Sequence, residues 1–241
     1  MMPPRYHRVM LKLSGEVLGG VEGQGLSIAH LDQICSDIAE TIHLGVQLGI
    51  TVGGGNVLRG CDAIQALGLE RICADHMGML GTVINALALR EHLQQRGIDA
   101  RLMTAIPIQS IAEPFAGSTA RSYLEAGCCV ICAYGTGWPY LTTDTAAALY
   151  AAQTGAEAIL KGTKVDGIYS DDPARNPDAV RYTDLTYADV LKMRLKVMDA
   201  TAVAFCMEND LSIVVFNVVR KRELVRVVKG EHVGTLVAES V

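Results

Sequence analysis

Short apolar runs alternate along this chain with longer stretches in which apolar positions recur every three or four residues. The short runs Arg8 to Leu13, Leu48 to Val52, Ala100 to Met103, Cys128 to Ala133, Ala158 to Leu160 and Ser212 to Phe216 predict strands. The longer ones, Ile28 to Leu44, Asp75 to Arg96, Thr119 to Ala126, Thr143 to Gln153, Ala200 to Asn209 and Glu223 to Lys229, predict helices. Such alternation implies right-handed crossovers and an α/β fold with a mainly parallel central sheet covered on both faces. Ligands of such sheets bind beyond the carboxyl ends of the strands. One long polar excursion, "VDGIYSDDPARNPDAVRYTDLTY", predicts a hairpin and flap over a site.

The 241 residues suffice for one large domain or two small ones, with roughly 70–75% of the unfolded surface buried on folding. Half of the residues are hydrophobic, only 12 (three Phe, eight Tyr, one Trp) are aromatic and 24 are glycine, the profile of a compact aliphatic α/β protein. The net charge of −5 gives no electrostatic footprint for nucleic acid, so an anionic ligand must be caught locally. No signal-like apolar region opens the chain and no 18 apolar residues run uninterrupted, so the expectation is a cytoplasmic protein without a membrane partner. The seven cysteines lie mostly in apolar segments and suit reduced core thiols. Cys129 and Cys132 form C-x-x-C, but in a strand residues three apart face opposite sides, which argues against metal or redox use.

Candidate chemistry gathers in turns after the predicted strands. "ITVGGGNVLRG" could cradle a phosphate, yet no G-x-x-x-x-G-K-[ST] occurs in the chain, so the positive charge must come from elsewhere. Lys12 ends the first strand in "LKLSGE", and Lys161 and Lys164 follow the fifth in "ILKGTKVDG". These lysines, glycine amides and helix N-termini can replace one contiguous phosphate loop. Asp144 and Asp199 could orient the lysines or help to place Mg²⁺. Simpler readings stand beside these. Three glycines also suit a turn needing positive φ, "TTD" is an N-cap through Thr143 or Asp144, His76 is a surface or satisfied core residue, and Met77, Met79 and Leu80 look like core.

Taken in order, "KLSGE", "GGGN-x-x-RG", "DHMGML", "GTG-x-P-Y-x-TTD", "KVDGIY-x-x-DP" and "LKVMD" resemble the uridylate kinase branch of the amino acid kinase family, from about residue 8 to the C-terminal "GTLV". The resemblance implies a single αβα-sandwich domain over residues 1–241, its N-terminal part mainly UMP-binding and its C-terminal part mainly ATP-binding. It further implies a cytoplasmic homohexamer that converts ATP and UMP to ADP and UDP with Mg²⁺, bound with ATP and not in a metal site of its own. Carried over by residue, Lys12, Leu13, Ser14, Gly15, Gly55 and Arg59 would line the ATP phosphates, and Thr163, Tyr169 and Asp172 would hold the adenosine. Gly54 would meet the UMP phosphate, Asp75 its ribose, and the loop of Thr136, Gly137, Trp138, Pro139, Tyr140, Leu141, Thr142 and Thr143 its uracil and ribose. Asp144, Asp199 and Lys161 match active-site positions beside Lys12.

GTP activation and UTP inhibition are features of that family. Gly20, Gly23, Gly25, Arg90 and Arg101 match its effector positions, whereas Gln24 replaces an aromatic residue, Gln94 a His and Cys128 an Arg. Trp138 stands where Asn is usual. Competing expectations are a kinase of the same fold acting on a carboxylate or carbamate, and a non-catalytic nucleotide-binding storage or regulatory protein.

Overall fold

The computed structural model describes residues 3–58, 68–173, 175–195 and 197–240. The strands are β1 (Arg8–Leu13), β2 (Gln47–Val52), β3 (Ala100–Thr104), β4 (Glu113–Pro114), β5 (Cys129–Ala133), β6 (Ala158–Thr163), β7 (Ile168–Tyr169), β8 (Arg181–Tyr182), β9 (Asp184–Thr186), β10 (Ser212–Asn217) and β11 (Thr235–Ala238). The helices are α1 (Gly15–Leu18), α2 (Ile28–His43), α3 (Arg71–Gln94), α4 (Gly117–Glu125), α5 (Thr143–Thr154), α6 (Tyr187–Met193), α7 (Ala200–Glu208) and α8 (Glu223–Val228).

Nine of the described strands form one sheet in the order β4-β3-β5-β2-β1-β6-β10-β11-β9. Its pairings are parallel except between β10 and β11, as strand–helix alternation requires. From β1 the chain passes to β2, then to β3 and the edge strand β4, comes back as β5 between β2 and β3, and crosses to the other side of β1 with β6. The carboxyl ends of β1, β2 and β6 therefore flank a point where the strand order reverses, the place such sheets use for ligands.

Two cores make the fold a three-layer αβα sandwich. On one face Leu11, Leu13, Ile50 and Ile131 pack under Ile34 and Ile38 of α2, Val83 and Leu89 of α3, and Leu224 of α8. On the other Met10, Val130 and Ile159 pack under Leu124 of α4, Ala147 and Ala151 of α5, and Val203 and Cys206 of α7. The small side chains of α5 let it lie close on the sheet, and Gly155, at φ 71°, ends it in the left-handed conformation that glycine adopts without cost. Cys129 belongs to the first core and Cys132 to the second, so the C-x-x-C is split between faces. Burial raises both thiols well above their ordinary value.

The longer predicted elements form with ends shifted by a few residues, while α1, β4, β9, α6 and β11 carried too little periodicity to be read. The polar excursion does form an antiparallel hairpin, β7 with β8, but its last residues extend the main sheet as β9 and begin α6. The reading of Met77, Met79 and Leu80 as core needs correction: Met79 is buried, but Met77 and Leu80 are 36% and 50% exposed. Helix α3 is apolar on more than one side, and spacing alone does not say which stripe meets the sheet. It is also the one described helix long and apolar enough to cross a membrane by length and composition, yet Val83, Ala86, Leu89 and Leu93 pack into the sheet's core.

Candidate active site

The charge that the glycine-rich turn lacks is built by strand register. In parallel pairing Lys12 of β1 lies beside Lys161 of β6, so the two side chains emerge on the same face, the one covered by α5. The first turn of α5 brings Asp144 between them, its Oδ1 2.7 Å from the Lys12 ammonium and its Oδ2 2.8 Å from that of Lys161. Lys161 also donates to the carbonyl of Val197. Lys12 is only 7% exposed, so it is a buried charge and not a surface lysine. Two ammonium groups share one carboxylate, and the charge of Asp199 also acts on Lys161.

Burial pushes the Asp144 carboxyl upward, but Lys12 and then Lys161 outweigh it and hold the group below the usual carboxylate range. Burial lowers Lys161 from its ordinary value, opposed by Asp144 and assisted by the like charge of Lys12. Asp144 is spared from capping because Thr142, not Thr143 or Asp144 as the sequence suggested, caps α5: its hydroxyl oxygen accepts from the N–H groups of Asp144 and Thr145. Thr142 in turn donates to Asp199, which also accepts from Thr145 Oγ1 at 2.9 Å and caps α7 through the N–H of Ala202. Asp199 thus ties the starts of α5 and α7 together through Thr142, Thr145 and Ala202.

Of the glycines of "GGGN", Gly54 is required for close approach. None of Gly53, Gly54 and Gly55 has positive φ. A Cβ on Gly54 would fall 2.4 Å from the Gly78 carbonyl oxygen of α3, and one on Gly15 would fall 2.5 Å from Asn56 Oδ1. Among the described residues no hydrogen-bond acceptor serves the N–H groups of Gly54 and Gly55, which leaves directional donors beside the two lysines.

A cleft of about 290 Å³ opens over this turn. It brings together Gly54, Gly55, Asp75, Leu141, Thr142 and Thr143 of the sequence-predicted residues, and adds Ala74, Gly78, Met79 and Thr82 of α3, which periodicity alone could not assign to a site. Asp75 accepts from the N–H of Tyr140 at 2.8 Å and pairs with Arg71 at 3.0 Å, fastening the 136–143 loop to α3. Thr136, Gly137, Trp138, Pro139 and Tyr140 lie outside the lining; the loop is shaped by positive φ at Tyr134, Gly135, Gly137 and Tyr140, and Trp138 is 73% exposed. His76 is satisfied by the Tyr134 hydroxyl at 3.1 Å.

A second cavity, of about 330 Å³, lies at the hairpin and is lined by Gly167, Tyr169, Asp172, Met193 and Leu195 among others. Tyr169 donates to Asp166 at 2.7 Å. Thr163 ends β6 outside that lining, and the Leu13 side chain is core, so only its backbone faces the turn. Ser14 precedes α1 as its N-cap. Arg59 lies outside the described residues. Arg90 and Arg101 line a third cavity, of about 500 Å³, with Gln94 and Glu113. Gly20, Gly23 and Gly25 are elsewhere in the chain's fold, in a loop held to Lys164 and Asn56.

Among the described residues no cluster of three His, Cys, Asp or Glu side chains could hold a metal ion. Asp144 is engaged by two lysines, although the Lys12 contact to Oδ1 is poorly directed for a hydrogen bond and leaves that oxygen without a donor. One such oxygen suits Mg²⁺ carried by nucleotide phosphates, which prefers one or two carboxylates plus phosphate oxygens to an all-protein cage.

The sequence and the fold both have counterparts among known proteins. The amino acid kinase family pattern matches residues 7–217. A uridylate kinase of Shewanella loihica is 47% identical over 98% of this chain and 96% of its own length, and one of Shewanella putrefaciens is 46% identical over 97% and 95%. Among solved structures, UMP kinase from Bacillus anthracis superposes with a TM-score of 0.94 at 36% identity, covering 98% of this chain and 97% of that one. UMP kinase from Ureaplasma parvum gives 0.90 at 33% identity, with 97% and 99% covered. The chain therefore belongs to the amino acid kinase family, among relatives that are uridylate kinases.

Proposed function

We propose that the protein transfers the γ-phosphoryl group of ATP to UMP, giving ADP and UDP for pyrimidine nucleotide synthesis. The observation that carries this reading is the Lys12–Asp144–Lys161 cluster beside a glycine turn with idle N–H donors. The cleft over that turn, with Asp75 in its wall, is assigned to UMP, and the cavity at Tyr169 and Asp172 to the adenosine of ATP. The N-terminal half of the domain thus serves mainly the acceptor and the C-terminal half mainly the donor.

The UMP phosphate has a second pKa near ~6 and is mostly dianionic at neutral pH, so its oxygen attacks the γ-phosphorus without a general base. The new P–O bond forms as the bond to the β-phosphate oxygen breaks, and ADP leaves. The protein's task is in-line alignment and charge stabilisation. Lys12 and Lys161 meet the charge on the transferring group, the Gly54 and Gly55 amides fix the phosphates, and Asp144 holds the lysines in register. Asp199 positions Thr142 and the start of α5. Mg²⁺ bound with ATP would neutralise the phosphate oxygens, with Asp144 the nearest carboxylate.

The reading includes a cytoplasmic homohexamer. Met77, Leu80 and Ile84 form an exposed apolar stripe on α3, which a second copy would cover. GTP activation is assigned to the cavity of Arg90 and Arg101, and UTP inhibition to competition in the UMP cleft. A coupled assay with Mg-ATP and UMP, CMP, dUMP, acetylglutamate or carbamate, with and without GTP and UTP, tests the proposal. Selective UMP turnover is expected. Turnover of a carboxylate or carbamate, or ATP binding without turnover, would refute it.

A further inference from the structure

Behind the glycine turn lies a buried pair of side-chain amides. Asn85 of α3 is fully buried and Asn56 is 5% exposed. The Asn85 amide nitrogen donates to Asn56 Oδ1 at 2.6 Å, and that of Asn56 donates to Asn85 Oδ1 at 2.9 Å, closing a reciprocal pair. Each has one proton left. Asn85 gives its own to the Gly53 carbonyl at 2.7 Å, and Asn56 gives its own to the Gly25 carbonyl at 2.6 Å. Flipping either amide would set its carbonyl against a backbone carbonyl, so the arrangement has one stable orientation. Every polar atom of the pair that can donate is used, the condition under which a buried network rigidifies its surroundings.

The Gly53 carbonyl belongs to the peptide unit whose N–H is that of Gly54. Drawing this carbonyl inward toward Asn85 turns the Gly54 N–H the opposite way, toward the cleft, because the peptide unit is planar and trans. The N–H of Gly25 also donates to the carbonyl of Asn56 at 2.9 Å, so the 19–26 loop is bound to the same turn through both of Gly25's backbone polar groups. At its other end that loop receives Lys164 on the Gly20 carbonyl at 3.1 Å. A single buried residue of α3 therefore sits at the junction of the phosphate turn and a surface loop.

We propose that Asn85 is a positioning residue for phosphoryl transfer: paired with Asn56, it sets the direction of the Gly54 N–H group and couples the 19–26 loop to that setting. The inference rests on the kinase reading above. Asn85 touches no substrate, so its loss should misalign the transferring group more than it weakens binding.

The test compares Asn85→Asp, Asn85→Ser and Thr41→Val with the wild-type protein in steady-state UMP kinase assays and in thermal unfolding. Asn85→Asp places a carboxylate against the Gly53 carbonyl, whereas Asn85→Ser keeps one donor and disturbs the site less. Thr41→Val removes an equally buried hydrogen bond, Thr41 Oγ1 to the Asp37 carbonyl at 2.8 Å, near the end of α2. The expected result is a kcat at least tenfold lower in Asn85→Asp, an intermediate value in Asn85→Ser, KM values for ATP and UMP within about threefold, and an unchanged kcat in Thr41→Val. Should Asn85→Asp not fold, the Asn85→Ser comparison decides. A folded Asn85 variant with kcat within twofold of wild type overturns the inference, as does a rise in KM alone or a kcat loss matched by Thr41→Val. Absence of UMP turnover in the wild type would instead refute the kinase reading, and this inference with it.

Discussion

Lys12→Met separates the catalytic from the structural role of the charge cluster. The substitution removes the ammonium and keeps most of the apolar stem in its buried place, while Asp144 retains Lys161 at 2.8 Å. No buried carboxylate is orphaned, so the stability cost should be about 1–2 kcal/mol, of the order of one buried hydrogen bond. Near 240 residues that corresponds to roughly 2–8 °C in Tm. Catalysis should suffer far more. With Lys12 gone, Lys161 is left against Asp144 and under the charge of Asp199, and the ammonium assigned to the phosphates disappears. Loss of one preorganised electrostatic contact of this kind costs about 2.7–4 kcal/mol, or 10²–10³ in kcat. Asp144→Asn is the counterpart: it leaves two buried ammonium groups without their shared partner and should cost about 3–5 kcal/mol in stability. Coupled-assay kinetics and thermal unfolding of the two variants side by side make the check. A Lys12→Met protein with kcat within tenfold of wild type, or one destabilised as much as Asp144→Asn, would refute this reasoning.

Other expectations follow from the same geometry. Asp75→Ala should raise the KM for UMP by about tenfold or more with little change for ATP, since it removes a wall of the acceptor cleft and frees the Tyr140 N–H; steady-state kinetics with each substrate varied decide. Gly54→Ala should cost about 1–3 kcal/mol by overpacking, because its Cβ would lie 2.4 Å from the Gly78 carbonyl oxygen, and a variant with unchanged Tm and kcat would contradict the close-approach account. The Asp144 carboxyl is lower in the folded than in the unfolded state, so its stabilisation is present above its ordinary value of 3.8 and is lost as pH falls below that; acid unfolding of Asp144→Asn should be flatter there. Lys161, lowered by burial, should give kcat/KM an alkaline limb below the ordinary lysine value of 10.5, and a limb at or above that value would count against it. Leu80→Glu, at the centre of the exposed α3 stripe, should shift the assembly to smaller species by light scattering.

The fold was legible because parallel strands buried on both faces leave short unbroken apolar runs, and the segments between them are longer and carry apolar positions at helical spacing. Lys12 and Lys161 could be named because each ends such a run, but that they lie side by side follows from the register of β1 against β6, which no local pattern encodes. Asp144 was legible as an acid at a helix start that could either cap the helix or orient the lysines, and the choice between the two depends on Thr142 taking the cap and on Asp199 holding Thr142 from another helix. Asn85 gave no signal, since an asparagine within an apolar helix is distinguished only by what it faces across the core. Met77 and Leu80 failed in the opposite sense, because periodicity identifies an apolar stripe without saying what covers it. In each case the sequence specifies what a residue can do, and the element packed against it, often from a distant part of the chain, selects which of those capacities is used. That is also why the proposed phosphate site needs no contiguous motif: its charges would come from β1 and β6, its amides from the turn after β2, and its alignment from α3 and α5.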